Sequence, residues 1–456
     1  MKQRETFGSR LGFLLLSAGC AIGIGNVWRF PYLVGQNGGG AFVLFYLVFL
    51  AIMGVPVLSM EFAVGRASRK SPVKAYTVLE KPGTKWHLHG YAALIGNYVL
   101  MMFYTTVAGW MLYYFYSFFT GRFTATAMTA EEVGGAFNEM LASPGINVFW
   151  MIIVVILGIF VCSMGLQQGV ERITKYMMLG LLGLMVVLAV NGMTLEGGIE
   201  GLKFYLLPDF GKMKEVGIGN VIVAAMNQSF FTLSLGIGAM AIFGSYLNKD
   251  NTLLGEAVNV AVLDTFVAVT AGLIIFPACF AFGVNPDSGP SLIFITLPNV
   301  FIAMAGGRIW GSLFFLFMSF AAFSTVIAVF ENIIACDMEL WDMDRKKVAK
   351  INLVLIILLS LPCALGYNVL SAFQPLGPGS AVLDLEDFIV SNLLLPIGSL
   401  IYLVFCTWGS GWGFDKYREE ANIGSGIRMP GSGLVRGYVK FVLPVMIISI
   451  LLQGLL

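Results

Sequence analysis

The chain has 456 residues, 58% of them apolar and 12% charged, and its mean hydropathy is +0.84. Soluble domains lie far from that balance, and a formal net charge of +1 offers nucleic acid no basic surface; the composition predicts a polytopic membrane protein with lipid around it and no nucleic-acid partner. The six cysteines (Cys20, Cys162, Cys279, Cys336, Cys363, Cys406) all fall in apolar runs, which argues against a disulfide framework or a thiolate metal cluster.

Apolar runs long enough to cross a bilayer fall at 10–35, 41–65, 90–119, 146–164, 171–191, 218–246, 255–284, 308–337, 349–367, 384–410 and 438–456, eleven in all. No cleavage site precedes the first, which is expected to stay in the mature protein. With a cytoplasmic N-terminus, 21 of the 27 Lys and Arg residues fall on the inner side. The expectation is a multi-pass protein of the bacterial cell (inner) membrane, N-terminus cytoplasmic and C-terminus extracytoplasmic. The only N-x-S/T match, Asn227-Gln-Ser229, lies within a span and suggests no glycosylated surface. The apolar, Pro- and Gly-broken segment "SLIFITLPNVFIAMAGG" is too short for a span and predicts an outer hairpin loop at about 286–307.

Span 1 contains "GCAIGIGNVWRFPY", in which Gly23, Gly25, Asn26, Arg29 and Pro31 interrupt an apolar run; span 6 contains "MNQSFFTLSLGIGAMAIFGSY", with a second Gly-Ile-Gly at 236–238 beside Gln228, Ser229, Thr232 and Ser234. A single Gly-x-Gly in a membrane helix is ordinarily a packing position. Two at matching places, five spans apart and each flanked by hydroxyl or amide groups, indicate discontinuous helices in two oppositely oriented repeats, which is where a transporter binds its cargo. A dinucleotide fingerprint is excluded, because its third glycine would fall at Trp28. The expected organisation is an N-terminal tail and first repeat at 1–191, a second repeat at 192–410, and a cytoplasmic loop with the eleventh span at 411–456.

These stretches, with "MEFAVGR" ending span 2 and "GIEGLKFYLLPDF" before span 6, resemble the neurotransmitter:sodium symporter family, in particular its eleven-span bacterial amino-acid transporters. The resemblance runs from about Arg4 to the end of span 10. It implies an all-α integral membrane protein with the LeuT-like 5+5 inverted repeat, discontinuous helices 1 and 6, and an eleventh span. The implied activity is sodium-coupled import of an amino acid by alternating access, with a monomer sufficient for transport.

Carried over residue by residue, the resemblance implies two sodium ions. One would be held by the Ala21 carbonyl, Asn26, Thr232 and Asp264, the other by the carbonyls of Gly19, Ile22 and Ala321 with the hydroxyls of Ser324 and Thr325. The substrate carboxylate would meet Ile24, Gly25 and Tyr104, and its ammonium the carbonyls of Ala21, Phe231 and Thr232 with the Ser234 hydroxyl. Gly23 stands where monoamine transporters of the family carry an aspartate, so an amino acid is expected. Leu100, Tyr104, Phe231, Ile237, Thr325 and Val329 would surround its side chain, an apolar and aromatic lining that favours a hydrophobic or aromatic L-amino acid. Asp264 breaks the apolar "VAVLDTFVAVTAGLIIF" of span 7, and relatives that require chloride have asparagine there; a carboxylate beside the first ion is expected to remove that requirement.

Arg29 needs a partner at membrane depth, and the resemblance pairs it with Asp387 as an outer gate above Tyr104 and Phe231. Arg4, Phe7 and Tyr246 correspond to the inner gate, with Asp337 or Glu339 as the acidic partner. Glu61 is expected to accept N–H groups of the broken helices, a structural role; Glu331 either lines the inner pathway or pairs within the bundle. Close relatives have a proline ten residues after the glycine that opens span 5, whereas here Gly169 is followed by Leu179, so inner opening is expected without local unwinding there. A channel would also use broken helices, but paired gates argue for alternate closure. An enzyme is disfavoured, since His87 and His89, the only histidines, sit in the basic loop "KWHLHG" with no metal-ligand pattern.

Overall fold

In the computed structural model, residues 5–123, 129–283 and 292–455 are described. Among them nine helices are long and apolar enough to cross a membrane: Gly40–Ser68, Leu88–Phe119, Pro144–Ser163, Leu166–Met193, Leu253–Ala281, Gly307–Trp341, Arg345–Ala364, Val382–Thr407 and Gly433–Leu455. These are spans 2 to 5 and 7 to 11. Span 1 is the pair Arg10–Ala21 and Gly25–Gln36, bent by 57° at its break. Span 6 is likewise two pieces, Ile218–Phe231 and Ala239–Tyr246, each too short to cross alone and joined by unwound residues 232–238. The two discontinuous helices are the two whose sequences place Gly-Ile-Gly at mid-depth.

Short helices cap the bundle. Pro72–Leu79 and Phe414–Ala421 lie on the face that carries the N-terminal segment, and Ala130–Ala142, Gly198–Leu206, Phe210–Val216 and Leu292–Ala303 on the far face. Within the segment expected to form a hairpin at 286–307, residues 284–291 lie outside the described residues; the remainder forms the single helix Leu292–Ala303, packed on spans 7 and 8. Span 8 has 35 residues and is about 52 Å long, longer than the hydrocarbon layer, so its last turns, with Asp337 and Glu339, reach the N-terminal face.

Helices in lipid gain nothing from hiding apolar surface from one another, so close backbone approach decides which pairs pack tightly. Span 8 packs along span 3, span 7 along span 5, and the second half of span 6 along span 2. At that last contact a Cβ on Gly65 would run into the Ala241 carbonyl, and one on Gly244 into that of Phe62. Gly65→Ala should therefore lower the thermal midpoint of the purified protein, by an overpacking penalty of about 1–3 kcal/mol. Gly183→Ala, where nothing lies within 4 Å of the added carbon, should leave it unchanged or higher. Equal midpoints for both variants would remove the close approach as the reason for Gly65.

Candidate functional site

Span 1 leaves its helix at Ile22, whose N–H still reaches the Ala18 carbonyl (2.6 Å) but whose ψ of 90° turns the chain aside. The helix resumes at Gly25, after Asn26 Oδ1 has accepted the Gly23 N–H (3.3 Å). In span 6 the break is made by Ser234, Gly236 and Gly238, all with positive φ (+52°, +99° and +79°). Glycine takes that conformation without strain, whereas Ser234 takes it at a cost and aims its hydroxyl at the Cys20 carbonyl of the other break (3.4 Å). Glu61, fully buried in span 2, accepts the Gly236 N–H (3.0 Å) and the Met240 N–H (3.1 Å).

Two oxygen-rich clusters flank the breaks. In the first, Asn26 Nδ2 donates to Asp264 Oδ1 (2.7 Å) and approaches Thr232 Oγ1 (3.2 Å), while Thr232 Oγ1 donates to Asp264 Oδ2 (2.9 Å). Tyr46 adds a long hydroxyl contact to the same carboxylate (3.5 Å). In the second, the Ser324 hydroxyl lies 2.9 Å from the Gly19 carbonyl, 2.9 Å from that of Ala321 and 3.4 Å from that of Ile22. The Thr325 hydroxyl lies 3.3 Å from the Gly19 carbonyl and 3.5 Å from those of Cys20 and Ile22. Spans 1 and 8 thus bring hydroxyl and carbonyl oxygens together without a carboxylate.

Between the clusters is a cavity of about 310 Å³. Ala21, Gly23, Ile24, Gly25, Leu100, Tyr104, Phe231, Thr232, Ser234, Ile237 and Thr325 line it, as does Asn26. Val329 does not: it is buried one turn further along span 8. Tyr104 accepts the Ile24 N–H on its hydroxyl (3.1 Å), and a Cβ on Gly23 would stand 2.6 Å from that same oxygen. The cavity also meets Phe103 and Val107 of span 3, and Leu383, Val390, Ser391 and Leu395 of span 10, none of them singled out in the sequence. Each lies within about a helical turn of Tyr104 or Asp387, or continues the same stripe.

Towards the far face the cavity reaches Trp28, Arg29, Tyr32 and Asp387. Arg29 and Asp387 are not joined in an ion pair; the guanidinium lies over the Phe231 ring (4.1 Å to its centre), and Asp387 accepts the Ser391 hydroxyl (2.7 Å). On the N-terminal face Phe7 packs edge-on against Tyr246 (5.8 Å), whose hydroxyl donates to Glu331 (2.7 Å). Arg345 grips that carboxylate at 2.5 and 3.0 Å and also reaches Glu5 (3.0 Å). Glu331 thus pairs within the bundle. Arg4 lies outside the described residues. Asp337 is held elsewhere, by Tyr98 (2.7 Å) and Asn352 (2.8 Å), and Glu339 accepts from the Ser71 hydroxyl (2.8 Å).

Replacing Glu61 by leucine would leave two buried N–H groups of span 6 without acceptors, at about 1–3 kcal/mol each. Glu61→Leu should lower the thermal midpoint substantially and Glu61→Gln, which keeps one carbonyl acceptor, by less. A Glu61→Leu protein as stable as the parent would show that the break is supported otherwise.

The chain matches the family model for the sodium:neurotransmitter symporter family over residues 4–134 and 135–456. It is 34% identical over 399 residues to an uncharacterized sodium-dependent transporter, YhdH, of Bacillus subtilis, covering 88% of this chain and 86% of that one. It is 32% identical over 468 residues to another from Haemophilus influenzae, covering 100% and 99%. Among solved structures it is similar to MhsT in complex with L-phenylalanine, with a TM-score of 0.87 and 37% identity over 99% of this chain and 100% of that one. The chain with its two broken helices and paired oxygen clusters therefore belongs to the sodium:neurotransmitter symporter family: it is a multi-pass sodium-coupled transporter of LeuT-like fold and not an enzyme.

Proposed function

We propose that this transporter imports a hydrophobic or aromatic L-amino acid together with two sodium ions, without a chloride requirement, across the bacterial cell membrane with its N-terminus cytoplasmic. The observation that carries this is the apolar cavity between two oxygen clusters at the breaks of spans 1 and 6. Its walls of Leu100, Phe103, Tyr104, Val107, Phe231 and Ile237 suit an apolar side chain, and the L-phenylalanine complex of MhsT supports the same class. The Ile24 N–H at the start of a half-helix suits a carboxylate, while the carbonyls that end the other half suit an ammonium. The lack of room at Gly23 keeps a competing acidic side chain out of that corner.

The donor sets fit sodium. Asn26, Thr232 and Asp264 with the Ala21 carbonyl offer hard oxygens and one negative charge; to present its oxygen to a cation, the Asn26 amide would turn over and exchange its long Gly23 N–H contact for the cation. Gly19, Ile22, Ala321, Ser324 and Thr325 offer five neutral oxygens, which suit a monovalent cation better than a divalent one that would lack counter-charge. Because spans of the first repeat, 1–191, pack on spans of the second, 192–410, the moving parts would be the half-helices of spans 1 and 6 against spans 3 and 8 rather than one repeat against the other, exposing the cavity in turn at the Arg29–Asp387 end and at the Phe7–Tyr246 end, with 411–456 following the second repeat. The Lys and Arg residues of the loops on the N-terminal face support a cytoplasmic N-terminus.

Thermal-shift titration of the purified protein with the twenty amino acids, in NaCl and in choline chloride, tests the reading. Hydrophobic and aromatic amino acids should stabilise the protein in sodium alone, by about 2.7 kcal/mol at a hundredfold excess over Kd. Asn26→Ala and Thr232→Val should lose sodium and substrate responses together, because each removes an oxygen from a cation site that the substrate carboxylate would complete. An unchanged sodium-dependent shift in both variants would remove the first cluster from the proposal.

Chloride independence has its own test. Asp264 provides a fixed negative charge beside the first cation, and Ala268, one turn later, adds none. Wild-type uptake should be equal in NaCl and sodium gluconate, and Asp264→Asn should lose most of its activity in gluconate while keeping its fold by thermal melting. Wild-type protein that fails in gluconate, or a fully active Asp264→Asn there, would leave Asp264 a hydrogen-bonding residue only.

A further inference from the structure

Eight carboxylates are buried among the described residues. Seven accept hydrogen bonds from protein donors, as Glu61 does from span 6 and Glu331 from Arg345. Glu386 is the exception: it is 4% exposed, and neither of its oxygens meets a protein donor in hydrogen-bonding geometry. It lies in the first turns of span 10, which pack against spans 3 and 9. From span 9 the Cys363 thiol faces it, with Asp384 and Tyr367 near that thiol in turn. From span 3 comes Thr106, buried and itself without a partner in hydrogen-bonding geometry. No cation is paired with Glu386 among the described residues, and Arg29 lies in the cavity, where the next residue, Asp387, also points.

An ionised carboxylate in such a seam would carry a burial cost that neither a thiol, a weak donor, nor a single hydroxyl can offset. A protonated one carries little. We propose that Glu386 is a proton-binding site: the packing of span 10 against spans 3 and 9, and with it the cavity wall that presents Asp387, requires the neutral acid. Stability of this arrangement is therefore present while the proton is bound and is lost as pH rises through the titration of Glu386.

The proposal rests on the transport reading only for its uptake arm. In the first arm, infrared difference spectra of wild type and Glu386→Gln are recorded in detergent with NaCl at about pH 7 and about pH 10. A carboxylic-acid C=O band should be present in wild type at the lower pH, missing from Glu386→Gln, and lost from wild type on alkalinisation. In the second, sodium-driven uptake of L-phenylalanine into proteoliposomes is followed against external pH. Wild-type uptake should fall by up to about tenfold per pH unit above its midpoint, while Glu386→Gln stays flat. Should Glu386→Gln fail to fold, Glu386→Asp, which keeps a titratable group on a shorter stem, should retain the pH dependence with a displaced midpoint. Absence of the acid band at the lower pH, or identical pH profiles for wild type and Glu386→Gln, would overturn the proposal; if L-phenylalanine is not carried at all, the infrared arm still decides.

Discussion

Backbone removed from a helix at membrane depth has no water to turn to, and Glu61 supplies to span 6 what lipid cannot. Its two oxygens take the N–H groups of Gly236, which opens the Gly-Ile-Gly, and of Met240, two residues beyond it. The Ile237 carbonyl on the same stretch is answered from spans 3 and 8, where Asn97 (2.7 Å) and Asn332 (3.4 Å) donate to it. With these needs met from outside, the break becomes a fixed feature of the fold. The polar groups left over at the two breaks are then free to face the cavity.

Two kinds of polar cluster arise from that surplus, and they differ in charge. The cluster around Asp264 combines a carboxylate with an amide and a hydroxyl that hold it by two hydrogen bonds and a longer Tyr46 contact, so a cation entering there would exchange those contacts for its own. The cluster at Ser324 and Thr325 is neutral and made mostly of carbonyls that the end of a half-helix leaves unpaired. Under the proposed function the first would bind with the substrate carboxylate as an additional ligand, and the second independently of it. The coupling between cargo and cation would then run through Asn26 and Thr232, which touch both the cavity and Asp264.

Most of this architecture was legible because its signals are local. Eleven apolar runs, two Gly-Ile-Gly motifs with polar flanks, and lone acids at 61 and 264 each announce themselves within a few residues. What was not legible depends on rotation about helix axes and on distant partners. Val329 sits at a sequence spacing from Thr325 that a cavity-lining stripe would share, yet it is buried in the bundle one turn beyond the cavity. Glu331 found its cation in Arg345, across the turn between spans 8 and 9, a partner that no local pattern announces. The capping helices are shorter than any hydropathy window, and Glu386 looks like one acid among several in "VLDLEDF" until its neighbours are known.

Span 5 shows how a missing residue redirects the mechanics. With Leu179 in place of a proline, Arg172–Met193 is an unbroken helix, and Leu179 faces outward, 45% exposed. The irregularity sits earlier, in a π-helical turn at Leu166–Glu171 that contains Gly169 and ends at Glu171. Glu171 accepts from the Gly8 N–H (2.8 Å), the Ser9 N–H (3.0 Å) and the Ser9 hydroxyl (2.9 Å), and so ties the start of span 1 to the π-helical turn of span 5. Movement of the first half of span 1 must either break those three bonds or carry the turn with it. Because a π turn can relax to an α turn by shifting a single residue, the second course keeps the bonds and leaves the rest of span 5 helical. Access from the N-terminal face would then depend on the first turn of span 5 rather than on unwinding at its centre.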